Sequence, residues 1–276
     1  MNQLSTNRTM INVIGIPAIL YLLWQGGPVF ALFIFLVMII GLDEFYRMNT
    51  NVRQTPVKLI GYIFTGFMAA YYFWLPAITL LQGLSLLACF IIIVLFIEMV
   101  RDKLNPTRNM GITVFGIMYV PVLLGSVIAL RNLDTVFNTY FTISMVLAIW
   151  ICDSVAYIFG MKWGQKKIFP RVSPNKSWVG SIAGFLSTFI VFYGLHVQGI
   201  LPDLTTLDMV VFSFITGFFG QAGDFAESLL KRDVGVKDSG KLLLGHGGVL
   251  DRFDSITFAS PLTYAYITLI YHPRLF

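Results

Sequence analysis

Charge is what this sequence has least of. Aspartate, glutamate, lysine and arginine make up 12% of its residues, about half the roughly 25% of a soluble domain. That shortage excludes a large soluble domain. Cysteine is scarcer still. The two cysteines, Cys89 and Cys152, each sit inside an apolar run, which argues against a disulfide framework and for ordinary thiols of a membrane core. Internal repeats and low-complexity segments are absent from the sequence. No small-residue cleavage site follows the first apolar run, so it reads as retained rather than as a signal peptide. The net charge of +5 would suggest nucleic acid in a soluble chain. Here the location of the charges matters more than their sum, and no nucleic-acid partner is expected.

What is present is apolar. Hydrophobic residues make up 57% of the chain and the mean hydropathy is +0.77. A spanning helix needs about 20 mostly apolar residues. Apolar runs cover residues 10–24, 28–46, 58–75, 77–99, 111–130, 138–161, 178–197, 207–230 and 253–271. They predict an all-α polytopic bundle of about nine helices in a lipid bilayer. The first two runs are short, joined by Gln25-Gly26-Gly27-Pro28 in a tight turn, and could form a hairpin that does not fully cross. Of the 19 Lys and Arg, all but Arg131 and Arg274 precede the first run or follow an even-numbered one. Basic residues accumulate in cytoplasmic loops, so the N-terminus is expected inside and the C-terminus outside. The chain divides into N-terminal helices, 1–136, and a C-terminal region, 137–276. The second part carries two charge-rich loops, 161–177 and 231–252, on the expected cytoplasmic side.

The densest polar stretch runs from Gln221 to Ser255. Asp224, Glu227 and Lys231 are spaced to share one helix face. Ionisable groups at a membrane boundary usually face a protein interior or a wet cavity; the plainer reading is a solvated helix end with local ion pairs. Gly245-His246-Gly247-Gly248 lets backbone approach a ligand, and its N–H groups suit phosphate. Asp251 and Asp254 flank Arg252 at the start of the ninth run. Carboxylates beside cations suggest Mg²⁺ on a polyphosphate, since Mg²⁺ takes one or two carboxylates and completes its shell with phosphate and water. Asp224 and Asp251, at facing helix ends, are the expected metal ligands, with Asp254 close by and room for a second cation. The competing account pairs Asp224 with Lys231 or Arg232, and Asp251 with Arg252, as structural salt bridges.

A second constellation joins Cys152-Asp153-Ser154 to Ser173-Pro174-Asn175-Lys176-Ser177-Trp178. Asp153 reads as the wall of a polar cavity, or as a structural hydrogen bond within the bundle. Lys176 lies near a helix N-terminus, where free N–H groups and the helix dipole favour anions. Trp178 reads as an interfacial anchor. His196 and His272 receive no function. Glu98, Arg101 and Asp102, and likewise Asp43 and Glu44, read as ordinary solvated helix ends.

The stretch Ser228-Leu229-Leu230-Lys231-Arg232, then Lys237-Asp238-Ser239-Gly240, then His246-Gly247-Gly248-Val249-Leu250-Asp251-Arg252-Phe253-Asp254 resembles the signature of phosphatidate cytidylyltransferases, the CDP-diacylglycerol synthases. Ser-Pro-Asn-Lys-Ser-Trp and the Asp153 region resemble the same family's upstream motifs. Leu244 departs from the Pro, Gly or Ser usual there, a change that removes no charge. The resemblance implies that CTP and phosphatidate give CDP-diacylglycerol and pyrophosphate in a bacterial inner membrane, at a site facing the cytoplasm, and that a homodimer is the family expectation. The polar pattern and the resemblance together mark Asp224, Lys231, Asp251 and Asp254 as the expected catalytic residues. They mark Asp153, Ser173, Lys176, Glu227, Arg232, Lys237, Asp238, His246, Gly247, Gly248 and Arg252 as the expected substrate-binding residues. The chemistry is self-consistent. A phosphate monoester, with a second pKa of about 6, needs no covalent enzyme nucleophile, only positioning and charge neutralisation. A transporter is the alternative of another class, but it would gather its polar groups near the midplane and often show inverted repeats. A cytidylyltransferase for another phospholipid, such as an ether lipid, and a structural membrane protein without chemistry are the other readings.

Overall fold

The computed structural model describes residues 15–74, 80–137, 139–242 and 247–275. Among these the backbone forms nine helices and no strand, each helix overlapping one apolar run: α1 (Gly15–Gln25), α2 (Gly27–Thr50), α3 (Lys58–Trp74), α4 (Leu80–Arg101), α5 (Pro106–Phe137), α6 (Phe141–Trp163), α7 (Trp178–Val197), α8 (Thr206–Asp233) and α9 (250–275). Five of them, α2, α5, α6, α7 and α8, are long and apolar enough to cross a membrane. Large apolar side chains such as Leu59, Phe96, Ile190 and Phe218 stand exposed on the outer surface, as a lipid-facing wall requires. Phe30, Met38, Leu124, Met145 and Phe212 fill the interior.

α1 is short, as expected, but α2 is not. It continues for 24 residues, past Asp43 and Glu44. Gly26 separates the two helices and Gly27 begins the second, both at positive φ, with Pro28 in its first turn. The Arg131 guanidinium lies against Gly26, where a Cβ would come within 2.9 Å of it. It donates to the Leu23 and Trp24 carbonyls at 2.5 and 2.8 Å, satisfying the last carbonyls of α1.

The reading of the acidic helix ends as solvated fails at two positions. Glu98 is buried, because Arg101 and Asn109 donate to its two oxygens at 2.8 and 2.6 Å. Asn109 also accepts from the Thr55 N–H, so the network fastens α4, α5 and the α2–α3 turn. Glu44 is buried too, for reasons given below. Asp43 stays partly exposed beside Arg47 and Lys58.

Two features position the site. α6 and α7 meet through small residues. A Cβ on Gly180 would lie 2.5 Å from the Ala156 carbonyl oxygen, and one on Gly184 2.8 Å from that of Cys152. Only glycine permits backbones so close, the usual device for packing helices in lipid. α8 contains a π-helical segment, Phe214–Phe219. The Gln221 side chain donates to the Gly217 carbonyl at 2.7 Å and to Ser181 of α7 at 3.0 Å. The wide turn is thereby satisfied and the polar end of α8 is tied to α7.

Candidate active site

The C-terminal ends of α6 and α8 and the N-terminal ends of α7 and α9 surround a cavity of about 760 Å³. Asp153, Lys176, Asp224, Asp251, Arg252 and Asp254 all line it. Polar groups singled out at four separate places in the sequence therefore share one space. Lys162, Gln165, Lys167, Asn175 and Gln221 line it as well. The two lysines had signalled only orientation in the sequence. Ile149, Trp150, Tyr157, Met161 and Ile256 give the cavity an apolar wall, and Tyr157 and Met161 stand exposed on the bundle surface.

Lys176 is placed by its loop. Ser177 caps α7, accepting from the Gly180 N–H at 3.3 Å, as a helix N-cap serine does. The Ile168 N–H donates to the Lys176 carbonyl at 3.2 Å, and the Trp178 N–H to that of Lys166 at 3.1 Å, closing the 164–177 loop on itself. The Lys176 ammonium pairs with Asp224 and sits 4.4 Å over the Phe225 ring. Arg232 reaches the same loop from α8, donating to the Val172 carbonyl at 3.3 Å.

Asp251 is the most heavily engaged of the carboxylates that line the cavity. Lys231 lies 2.5 Å from one oxygen. The other accepts from the Ser239 N–H, the Ser239 hydroxyl and the Gly248 N–H at 3.0, 3.0 and 2.7 Å. Lys231 is buried behind it, 3.3 Å from the fully buried Glu227. Lys231 and Glu227 therefore support Asp251 from beneath rather than line the cavity. The ion pairs are thus Asp224 with Lys176 and Asp251 with Lys231, different pairings from those the competing account names.

Of the glycine turn, Gly247 and Gly248 are among the described residues. The Gly248 N–H points at Asp251, and the Val249 and Leu250 N–H groups point at Glu44. These amides already serve carboxyl groups of the protein. Gly247 has φ +83, and a Cβ there would meet Asp251 at 2.5 Å, which explains glycine at that place. Ser173 lies beside Lys176 in the loop without lining the cavity, and Lys237 and Asp238 are exposed outside it. His246 and Leu244 lie outside the described residues.

Among the described residues no three His, Cys, Asp or Glu side chains converge as a metal-holding group. The donor set nonetheless suits magnesium, which needs only one or two carboxylates beside phosphate and water. Asp224, Asp251 and Asp254 all open on the cavity.

Residues 6–270 match a model of the Cytidylyltransferase family. Phosphatidate cytidylyltransferase of Staphylococcus haemolyticus (strain JCSC1435) is 32% identical over 262 residues, which are 92% of this chain and 96% of that protein. Phosphatidate cytidylyltransferase of Bacillus subtilis (strain 168) is 32% identical over 268 residues, 95% of this chain and 97% of that protein.

Proposed function

The chain belongs to the cytidylyltransferase family, and from that premise we propose that it makes CDP-diacylglycerol and pyrophosphate from CTP and phosphatidate at the cytoplasmic face of a membrane. The observation that carries this reading is the shared cavity of Asp153, Lys176, Asp224, Asp251, Arg252 and Asp254. A phosphate oxygen of the lipid attacks the α-phosphorus of CTP. The new P–O bond forms as the bond to the β-phosphate bridging oxygen breaks, and pyrophosphate carries the electron pair away. No proton need be removed from a nucleophile that is already an anion.

The protein's task is then to hold two anions together. Lys176 and Arg252, with Lys162 and Lys167 nearby on the cavity wall, place positive charge where the phosphates must meet. Asp224 and Asp251 would hold Mg²⁺, which when bound offsets charge on the triphosphate and the leaving pyrophosphate. Asp224 also keeps Lys176 turned into the cavity. The apolar wall of Trp150, Tyr157 and Met161 suits a substrate with one end in the bilayer.

The test is an assay of purified protein with radiolabelled CTP and Mg²⁺, with phosphatidate present or omitted. Label should move into the organic phase only when phosphatidate is present, with pyrophosphate released in equal amount. Label that stays aqueous under all conditions would reject the reading.

A further inference from the structure

We propose that Glu44 is a positioning residue: its carboxyl seats the N-terminus of α9 and, through Ser239, fixes Asp251 in the cavity. The inference rests on the cytidylyltransferase reading of that cavity. Glu44 belongs to α2, in the half of the chain that contributes no residue to the family signature, and it does not line the cavity. It is 6% exposed. One of its oxygens accepts from the Val249 N–H at 3.0 Å. The other accepts from the Leu250 N–H at 2.9 Å and the Ser239 hydroxyl at 3.3 Å.

The chemistry explains the arrangement. The first N–H groups of a helix have no intrahelical partner, and in a dry interior an unmet donor is costly. Anions bind at such ends, and here the anion-like group is supplied by α2. Ser239 ties this support to the site. Its one hydroxyl hydrogen is shared between Asp251 and, at the longer distance, Glu44, and its N–H donates to Asp251. The glycines of the signature fit the same account. A Cβ on Gly240 would overlap the Glu44 carboxyl, and one on Gly248 would lie 2.5 Å from it. Glycine at 240 and 248 makes room for Glu44.

Glu44→Gln offers one acceptor where two are needed and sets an N–H against an N–H. Misplacement of a catalytic group by about 1 Å can cost about 10²-fold. With CTP and phosphatidate, Glu44→Gln should lose about that factor in kcat while KM for CTP holds. Hydrogen exchange at residues 248–250 should quicken. Ser239→Ala should lower kcat less, and the losses in the double variant should fall short of multiplying, because the two residues share one hydrogen bond. Wild-type turnover in Glu44→Gln, or losses that multiply in the double variant, would overturn the proposal. Should Glu44→Gln not fold, Glu44→Asp decides, because it keeps the charge but draws the carboxyl back from residues 249 and 250: lowered kcat at constant KM supports the tie, and unchanged kcat removes it. A wild-type protein inert toward CTP and phosphatidate would reject the functional reading alone. Exchange at Val249 and Leu250 would then judge Glu44, faster exchange in Glu44→Gln supporting the tie and unchanged exchange refuting it.

Discussion

Asp224 and Asp251 carry the same side chain into one cavity yet are held in different ways. Asp224 meets Lys176 and Ser228, and its side chain is 31% exposed. Ion pairs so open to solvent contribute about 0–1 kcal/mol. Asp224→Asn should therefore leave the melting temperature nearly unchanged while turnover falls about 10²–10³-fold, the usual loss for one preorganised charge-stabilising group. Added Mg²⁺ should restore part of that turnover. No response at any Mg²⁺ concentration would leave Asp224 with Lys176 alone to hold. Asp251 is mostly buried against Lys231. Asp251→Asn should lower both turnover and stability, because breaking a buried pair costs about 3–5 kcal/mol. Glu227 beside Lys231 keeps the cost near the lower figure. Lys176→Ala and Lys231→Ala divide in the same way: the first should lower activity in a folded protein, the second should also lower the melting temperature in detergent.

At the scale of helices, the α6–α7 contact holds the two walls of the cavity. Gly184→Val should push the pair apart at the Cys152 carbonyl, costing about 1–3 kcal/mol as overpacking does, and should shift Lys176 away from Asp224. Gly194 is the control. Nothing lies within 4 Å of a Cβ there, so Gly194→Ala should leave turnover intact and raise stability by roughly 0.5–1 kcal/mol. Thermal melting of the two variants side by side separates the cases. The helices themselves were legible in the sequence because a lipid-spanning segment announces itself by its apolar length. The end of α2 was not. Asp43 and Glu44 look like a boundary, whereas Glu44 has its hydrogen-bonding partners 195 to 206 residues away, and no local pattern records such distances. Asp153, Lys176 and Arg252 were legible as polar groups in an apolar chain, but their common cavity was not. The spacing put Lys231 on one helix face with Asp224 and Glu227, but its pairing with Asp251, 20 residues on, was not legible there.

For the whole molecule, charge asymmetry sets the expected orientation, and its two exceptions both have partners within the protein. Arg131 is committed to the end of α1, and Arg274 to the buried Asp208. Both are structural groups rather than free loop charges. In a background lacking Cys89 and Cys152, single cysteines at Gln165 and Lys237 should resist an impermeant thiol reagent outside intact cells, and one at Asp203 should react. Labelling of position 237 from outside would reverse the topology. The Glu44 tie also orders events in time. A ribosome releases α2 into the bilayer long before residues 239–250 exist, since translation runs from the N-terminus at about 5–20 residues each second. During that interval the Glu44 carboxyl has none of its final partners. The nascent second helix thus holds a carboxyl whose hydrogen bonds are completed only when the start of the ninth has been made.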